Sequence, residues 1–218
     1  GEPLIRDRRY IGGLVNIMYR EPQGAMADKV YRDNGNFVDL TAANAQAVFS
    51  MDDLVSSLWS SVQESLQPAA FGREFFRNPA ISFVYERGWR QQFNQNGFPG
   101  IDKEFNEVMA YFKPVAADGT VLDMSCGSGL MTRRLARSGV FSRVIGADYS
   151  ESMLIETARR FRASRMVVPD LVRCDVANLP MQTDSLDAVH AGAAMHCWPE
   201  AERGVEEIAR VLRPGGAF

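Results

Sequence analysis

The chain has 218 residues, of which 46% are hydrophobic and 23% are charged, and its formal net charge is −3. This balance predicts an ordinary packed core and lacks the basic surplus of a general nucleic-acid binder. No apolar run approaches the roughly 20 residues that a transmembrane helix needs. The three cysteines, Cys126, Cys174 and Cys197, are far apart and form no Cys-x-x-Cys pair. We therefore expect reduced thiols in a reducing intracellular compartment, and neither a disulfide framework nor a metal site.

The first part of the chain, residues 1–45, is predicted to be a small β-rich unit. Asp33-Asn34-Gly35-Asn36 is a strong turn signal because asparagine and glycine tolerate positive φ. The segment Phe37–Leu40 then reads as the closing strand of a hairpin.

Residues 46–115 are predicted to form a helical cap or lid. Apolar residues recur at helical spacing after Ser50, again around 81–93, and once more over 103–112, where Pro114 is expected to stop the third helix. Tyr85, Trp89 and Phe93 share one side of the second helix. They could cover an acceptor or simply belong to the core.

From residue 116 onward, strands and helices alternate. Strands are predicted over 120–124, 143–147, 171–174 and 186–192, and helices over 130–138, 151–162 and the residues between Pro199 and Pro214. Alternation of this kind predicts an α/β fold, a Rossmann-like parallel sheet with helices on both faces. A fifth strand would begin at Ala217, so we expect the sheet to be incomplete at the C-terminus. An open edge of this kind would need covering, by a protein partner for example.

A glycine loop, Gly127-Ser128-Gly129, lies between the first strand and the first helix of this region. Ligands of such sheets bind at the carboxyl ends of the strands, and glycines let the backbone approach a ligand closely. Asp123, just before the loop, would repel a pyrophosphate and attract an ammonium group. Thr132 also replaces the third glycine of the dinucleotide pattern. The loop therefore favours a ligand with an amino-acid end over a dinucleotide.

Two further acidic residues end the next two strands. Asp148 could accept hydrogen bonds from both hydroxyls of a ribose, or it could cap the helix that follows. Asp175, followed by Val176, could flank an adenine, or it could cap its own loop.

Five segments in this order resemble the motif series of class I S-adenosylmethionine-dependent methyltransferases, especially those of ubiquinone and menaquinone biosynthesis. They are VLDMSCGSG (121–129), VIGADYSESM (144–153), RCDVANLP (173–180), LDAVH (186–190) and VLRPGG (211–216). The segment NPAISFVYERGWR (78–90) is similar to a plastid branch of that family in plants and algae. The resemblance thus implies that residues 116–218 form the cofactor-binding domain and that the protein is located in the chloroplast.

The resemblance also implies a role for individual residues. S-adenosyl-L-methionine would be the cofactor and S-adenosyl-L-homocysteine the product. The expected cofactor contacts are Asp123, Ser125, Gly127 and Gly129 around the methionine portion, Asp148, Tyr149 and Met153 at the ribose, and Asp175 and Val176 at the adenine.

The catalytic candidate is a histidine that follows the fourth strand of the sheet. His196 lies where the family's loop meets the transferred methyl group, and it could act as a general base or merely orient the loop. His190, inside the strand, is expected to be a satisfied core histidine. The acceptor is expected to be a small, lipophilic or aromatic molecule, although quinol precursors, other lipophilic molecules and protein side chains all fit the sequence. The alternative function is a non-catalytic, methyltransferase-like subunit that docks in a larger assembly.

Overall fold

The computed structural model describes residues 32–33, 35–41 and 100–218. The helices expected after Ser50 and around 81–93 lie outside these residues. The elements in chain order are β1 (Arg32–Asp33), β2 (Val38–Asp39), α1 (Ile101–Ala116), β3 (Thr120–Met124), α2 (Leu130–Ser138), β4 (Arg143–Asp148), α3 (Glu151–Ala163), β5 (Asp170–Arg173), β6 (Leu186–His190), α4 (Ala201–Val211) and β7 (Leu212–Ala217). Short 3₁₀ turns at Val176–Asn178 and Met195–Cys197 follow β5 and β6.

The strands form one sheet in the order β1-β2-β5-β4-β3-β6-β7. All neighbouring pairs are parallel except β1 with β2. Chain order reverses on either side of β3, because β4 is its neighbour on one side and β6 on the other. The carboxyl ends of these three strands flank the crevice where ligands of such sheets bind. The predicted Rossmann-like α/β fold is confirmed.

Both faces of the sheet are packed against helices, because successive side chains in a strand point to opposite sides. Val121 contributes to the cluster that holds Phe112 of α1 and Leu135 of α2. Its neighbour Leu122 joins the cluster on the other face, with Ile208 of α4. The predicted inner face of α3, Leu154, Ala158 and Phe161, is fully buried as expected. No helix in these described stretches is long and apolar enough to cross a membrane.

The predicted N-terminal hairpin is present, and it extends the main sheet. β2 pairs in parallel with β5, Leu40 donates its N–H to the carbonyl of Arg173, and Asp39 forms an ion pair with the Arg173 guanidinium at 3.0 Å. In the turn between β1 and β2, the side chain of Asn36 accepts a hydrogen bond from Arg162 of α3 at 2.7 Å. These contacts fasten β2 along β5. The division of the chain into three units stays a prediction, since residues 42–99 are not described.

The two largest boundary differences from the sequence-based expectation are the end of α1 and the start of β7, and the other helix and strand ends agree within about two residues. Helix α1 continues through Pro114 to Ala116. Proline costs the helix one hydrogen bond near its end, and burial of Phe112 and Ala116 against the sheet offsets that loss. The fifth strand of the cofactor region, β7, begins at Leu212 and not at Ala217. An irregularity in the pairing between β6 and β7 accommodates its proline, which an edge strand tolerates.

A buried ion pair fixes the loop that leads into β6. Glu207 of α4 is 2% exposed and accepts a hydrogen bond from the N–H of Leu179 at 2.8 Å. The guanidinium of Arg210 donates to both Glu207 oxygens and to the carbonyls of Leu179 and Met181. The buried Glu207 carboxylate and the partly buried Arg210 guanidinium therefore each have several partners, as a desolvated pair requires.

Candidate functional site

The loop between β3 and α2 has a left-handed backbone at three positions. The φ angles are 59° at Ser125, 56° at Gly127 and 73° at Gly129. A Cβ atom at Gly129 would lie 2.5 Å from Cγ2 of Thr157 on α3. The hydroxyl of the same threonine donates to the carbonyl of Gly127 at 2.8 Å. The loop is thus pressed against α3, and only glycine suits position 129.

Asp148, at the end of β4, lies directly beside this loop. Its Oδ2 accepts a hydrogen bond from the N–H of Gly127, and its Oδ1 accepts one from the N–H of Ser150, both at 2.8 Å. Burial raises the pKa of the Asp148 carboxyl to about 6, although the two backbone hydrogen bonds act in the opposite direction. The carboxylate therefore bonds the N-cap residue of α3 without capping the helix itself, and it also faces the loop. A backbone hydrogen bond from Tyr149 also reaches the carboxylate, which leaves one of its roughly four acceptor directions for a ligand hydroxyl.

Asp123 is 1% exposed, and both of its oxygens already accept hydrogen bonds. The hydroxyl of Thr132 donates to Oδ2, and Nδ1 of His190 lies 2.8 Å from Oδ1. Thr132, which replaces the third glycine of the dinucleotide pattern, is therefore a hydrogen-bond partner of Asp123. Direct contact between Asp123 and a ligand ammonium group stays a prediction, because the structure shows a carboxylate held by two protein groups.

Trp198, which follows the turn after β6, contacts the loop between β3 and α2. Its indole N–H donates to the hydroxyl of Ser125 at 3.0 Å. A Cβ at Gly204 of α4 would lie 3.0 Å from the indole ring and 3.3 Å from Val176. The indole therefore occupies space between Ser125, expected at the methionine end of the cofactor, and Val176, expected at the adenine end. Trp198 is thus both a packing residue against α4 and a wall of the crevice.

The remaining predicted contacts lie around the same crevice. The Tyr149 ring is 41% exposed and has the Arg173 guanidinium 5.5 Å from its centroid, whereas Met153 is 3% exposed. Asp175 is exposed and accepts the N–H of Ala177, so it caps its own turn. Val176 is buried beside it. The adenine and ribose roles of these four residues stay predictions.

His196, the predicted base, is exposed on the short turn Met195–Cys197. Burial and the negative charge of Asp148 raise the pKa of the adjacent Cys197. Trp198, which directly follows this turn, donates to Ser125 of the loop between β3 and α2, so the turn lies at the edge of the crevice. His190, in contrast, is 11% exposed and bridges Asp123 to Glu104 of α1, whose Oε1 lies 3.6 Å from Nε2. His190 thus has partners, as expected of a core histidine, but both partners are carboxylates near the site.

Sequence reasoning missed Thr157 and Glu104. Thr157 carried a weak signal, because it is a polar residue on the otherwise apolar inner face of α3. Glu104 carried none, because nothing in the sequence connects it to a histidine on a distant strand.

A solvent-open cavity of about 330 Å³ lies between α1 and the end of β6. His190 forms part of its wall, and most of its other lining residues are apolar, among them Val108, Tyr111, Phe112 and Val189. The same histidine that contacts Asp123 therefore borders a second, mainly apolar space.

Comparisons with known proteins agree with this geometry. Residues 122–218 match the family model described as a methyltransferase domain. One uncharacterized chloroplastic methyltransferase of Arabidopsis thaliana is 51% identical over 158 residues, which cover 70% of this chain and 44% of the relative. Another is 41% identical over 224 aligned positions, which cover 100% of this chain and 58% of the relative. A demethylmenaquinone methyltransferase of Clavibacter sepedonicus is 38% identical over 103 residues, or 47% of this chain and 40% of that protein. The chain spans about half the length of the curated relatives it matches.

Among solved structures, phosphoethanolamine N-methyltransferase 2 of Haemonchus contortus, in complex with S-adenosyl-L-methionine, has a TM-score of 0.54 and 24% identity. The match covers 66% of this chain and 34% of that one and shows a shared fold. Since the sheet, the glycine loop after β3 and the acidic ends of β3 and β4 occur together with these matches, residues 122–218 of this chain belong to the class I S-adenosylmethionine-dependent methyltransferase family.

Proposed function

We propose that this chain binds S-adenosyl-L-methionine at the loop between β3 and α2, and that the whole protein transfers the methyl group to a small, lipophilic or aromatic acceptor. The observation that carries the proposal is the position of Asp148. Its carboxylate lies against the left-handed loop Ser125–Gly129, at the carboxyl end of the strand next to β3.

The residues of the crevice fit this cofactor chemically. The absence of a Cβ at Gly129 lets the loop pack directly against Thr157 of α3, which fixes the backbone shape of the loop. The raised pKa of Asp148, about 6, marks a carboxyl group that has lost water and would gain from the hydroxyl donors of a ribose. Tyr149 and Met153 would border the ribose, and Asp175 and Val176 the adenine. Asp123 would place negative charge behind the methionine portion, with His190 between it and α1.

The sulfonium of the cofactor supplies an electrophilic methyl group, so the protein mainly has to align a nucleophile and exclude water. His196, on the turn that borders the crevice, is our candidate for the group that accepts a proton from the acceptor. The indole of Trp198 would shield the cofactor from solvent, since it already spans the gap between Ser125 and Val176.

The acceptor class is supported by two observations. The cavity between α1 and β6 is lined mainly by apolar side chains, and one relative is named a demethylmenaquinone methyltransferase. Both favour a hydrophobic ring over a charged metabolite. We also propose plastid localisation, because the two Arabidopsis relatives are named chloroplastic.

Calorimetry of the full-length protein with S-adenosylhomocysteine tests cofactor binding. Asp148→Ala should weaken binding by roughly 1.5–3 kcal/mol, the usual loss for a hydrogen bond to a charged group. The matched control is Asp170→Asn, which removes a carboxylate that pairs with Arg143 at the opposite end of the sheet. No binding by the wild type at high micromolar ligand, or equal losses in both variants, would contradict the proposal.

Transfer itself is tested with the full-length protein, methyl-labelled cofactor and a prenylated naphthoquinol as acceptor. We expect labelled product, and we expect His196→Ala to lower turnover more than it lowers cofactor affinity. Unchanged turnover would remove His196 as the base. Label found only on protein side chains would overturn the small-molecule acceptor.

A further inference from the structure

His190 joins the cofactor loop to a helix on its other side. Nδ1 lies 2.8 Å from Oδ1 of Asp123 on β3, and Nε2 lies 3.6 Å from Oε1 of Glu104 on α1. Only the protonated imidazole can donate from both ring nitrogens. Flanked by two carboxylates and 11% exposed, the ring is arranged as a cationic bridge.

The fit around this bridge is tight. A Cβ at Gly192 would lie 2.7 Å from Oε1 of Glu104 and 2.7 Å from Cε1 of His190. Glycine at 192 therefore lets the carboxylate of α1 reach the ring. The titratable groups that face the ring from the described elements are Asp123 and Glu104, with Glu107 one turn further along α1 at the same cavity.

The bridge continues into the loop itself. Asp123 precedes the loop and Thr132 follows it, so the hydrogen bond between them links the two ends of the loop. His190 fastens these ends to β6, and Glu104 fastens α1 to the same point. Four elements, β3, α2, β6 and α1, thus meet at one network, in which Asp123 and Thr132 are buried and His190 and Glu104 are partly buried.

We infer that His190 is a positioning residue of the cofactor site, which holds the loop after β3 in its ligand-binding form by bridging Asp123 to Glu104. The inference rests on the proposed function, because the bridge has a role in binding only if the loop binds the cofactor. It also gives α1, which borders the apolar cavity, a direct connection to the cofactor loop.

The charge of the bridge predicts its pH dependence. Burial alone would lower the pKa of His190, but hydrogen bonds and negative charge from Asp123 and Glu104 raise it to about 9. The bridge should be intact at neutral pH and should weaken as the pH rises through about 9.

Conservative variants separate the two halves of the bridge. His190→Asn places an amide N–H near the position of Nδ1, so it can keep the hydrogen bond to Asp123 while losing Glu104. Glu104→Gln removes the second carboxylate and keeps the histidine. The matched control is Asp102→Asn, which removes an exposed carboxylate of the same helix that pairs with Arg134.

The experiment measures S-adenosylhomocysteine affinity of the full-length protein by calorimetry at several pH values. At pH 7.5 we expect the dissociation constant to rise about three- to tenfold in His190→Asn and Glu104→Gln, as for loss of one hydrogen bond, and to stay unchanged in Asp102→Asn. The ratio of variant to wild-type constants should fall toward one near pH 10, where the wild-type ring is neutral. Because the ligand titrates equally in both measurements, the ratio of variant to wild-type constants cancels the effect of the ligand's own protonation on affinity.

A ligand-free measurement complements the binding series. In the nuclear magnetic resonance spectrum of wild-type protein, one histidine should stay protonated up to a pH of about 9, and its signal should be missing in His190→Asn. If the signal that is missing in His190→Asn titrates near the ordinary value of about 6.5, the bridge is overturned independently of the binding data. Wild-type binding with unaltered affinity in both bridge variants would overturn this inference and leave the proposed function standing. Failure of the wild type to bind would remove both.

Discussion

Replacing Gly129 by alanine tests the packing of the cofactor loop directly. At this position φ is 73°, and the new Cβ would lie 2.5 Å from Cγ2 of Thr157. The left-handed conformation costs a residue with a Cβ roughly 1–2 kcal/mol, and crowding of a packed site adds roughly 1–3 kcal/mol. We therefore expect Gly129→Ala to lower the free energy of unfolding by about 2–5 kcal/mol, measured from the midpoint of urea denaturation.

Two matched variants separate these costs. Gly139 also has a positive φ, 64°, but nothing lies within 4 Å of its Cβ position. Gly139→Ala should therefore lose only about 1–2 kcal/mol. Adding Thr157→Ser to Gly129→Ala removes the crowding methyl and keeps the hydroxyl that bonds Gly127. The double variant should therefore regain most of the roughly 1–3 kcal/mol of unfolding free energy that crowding removes. Equal losses at Gly129 and Gly139, with no recovery in the double variant, would refute the packing argument.

Three further expectations concern other parts of the site and core. Glu207→Gln should lower the free energy of unfolding by about 1.5–3 kcal/mol, because the partly buried Arg210 guanidinium loses the charged partner of two hydrogen bonds. A urea midpoint like that of the wild type would contradict this. Trp198→Phe should lower the free energy of unfolding by about 0.5–1.5 kcal/mol, because the hydrogen bond to Ser125 is lost. It should also speed the dissociation of S-adenosylhomocysteine in stopped-flow measurements. An unchanged dissociation rate would show that the indole does not cover the bound cofactor. The raised pKa of Asp148, about 6 against an ordinary 3.8, means that the folded state favours the protonated carboxyl, so stability is lost as the pH rises from about 4 to 6. Melting temperatures of ligand-free protein should therefore shift in favour of Asp148→Asn between pH 4.5 and 7.5, and parallel curves would argue against a desolvated carboxyl.

Periodicity and glycine placement were enough to predict the elements of the cofactor region. The strand at Thr120–Met124 and the helix at Leu130–Ser138 have the predicted bounds, because local apolar patterns and turn residues specify them. Alternation of strands and helices gave the parallel sheet, since short connections restrict how such units can pair. The predicted hairpin was also readable, from its Asn-Gly turn.

Local rules failed where packing decided the outcome. Pro114 did not end α1, because the residues around it are buried against the sheet. β7 began earlier than its proline and glycines indicated, since pairing with β6 extends it. The hairpin joined the sheet beside β5 through Asp39 and Arg173, which are too far apart in the chain for a local pattern to connect.

The candidate site divides in the same way. The identities of Asp123, Gly127, Gly129 and Asp148 and their order along the chain pointed to the cofactor, because a ligand at the carboxyl ends of parallel strands needs glycine and acid at those places. The sequence could not show that Asp123 is held by Thr132 and His190, or that Glu104 reaches the same ring. Those contacts depend on how α1 packs against β6, and side chains from distant segments meet only when the sheet and its helices are assembled.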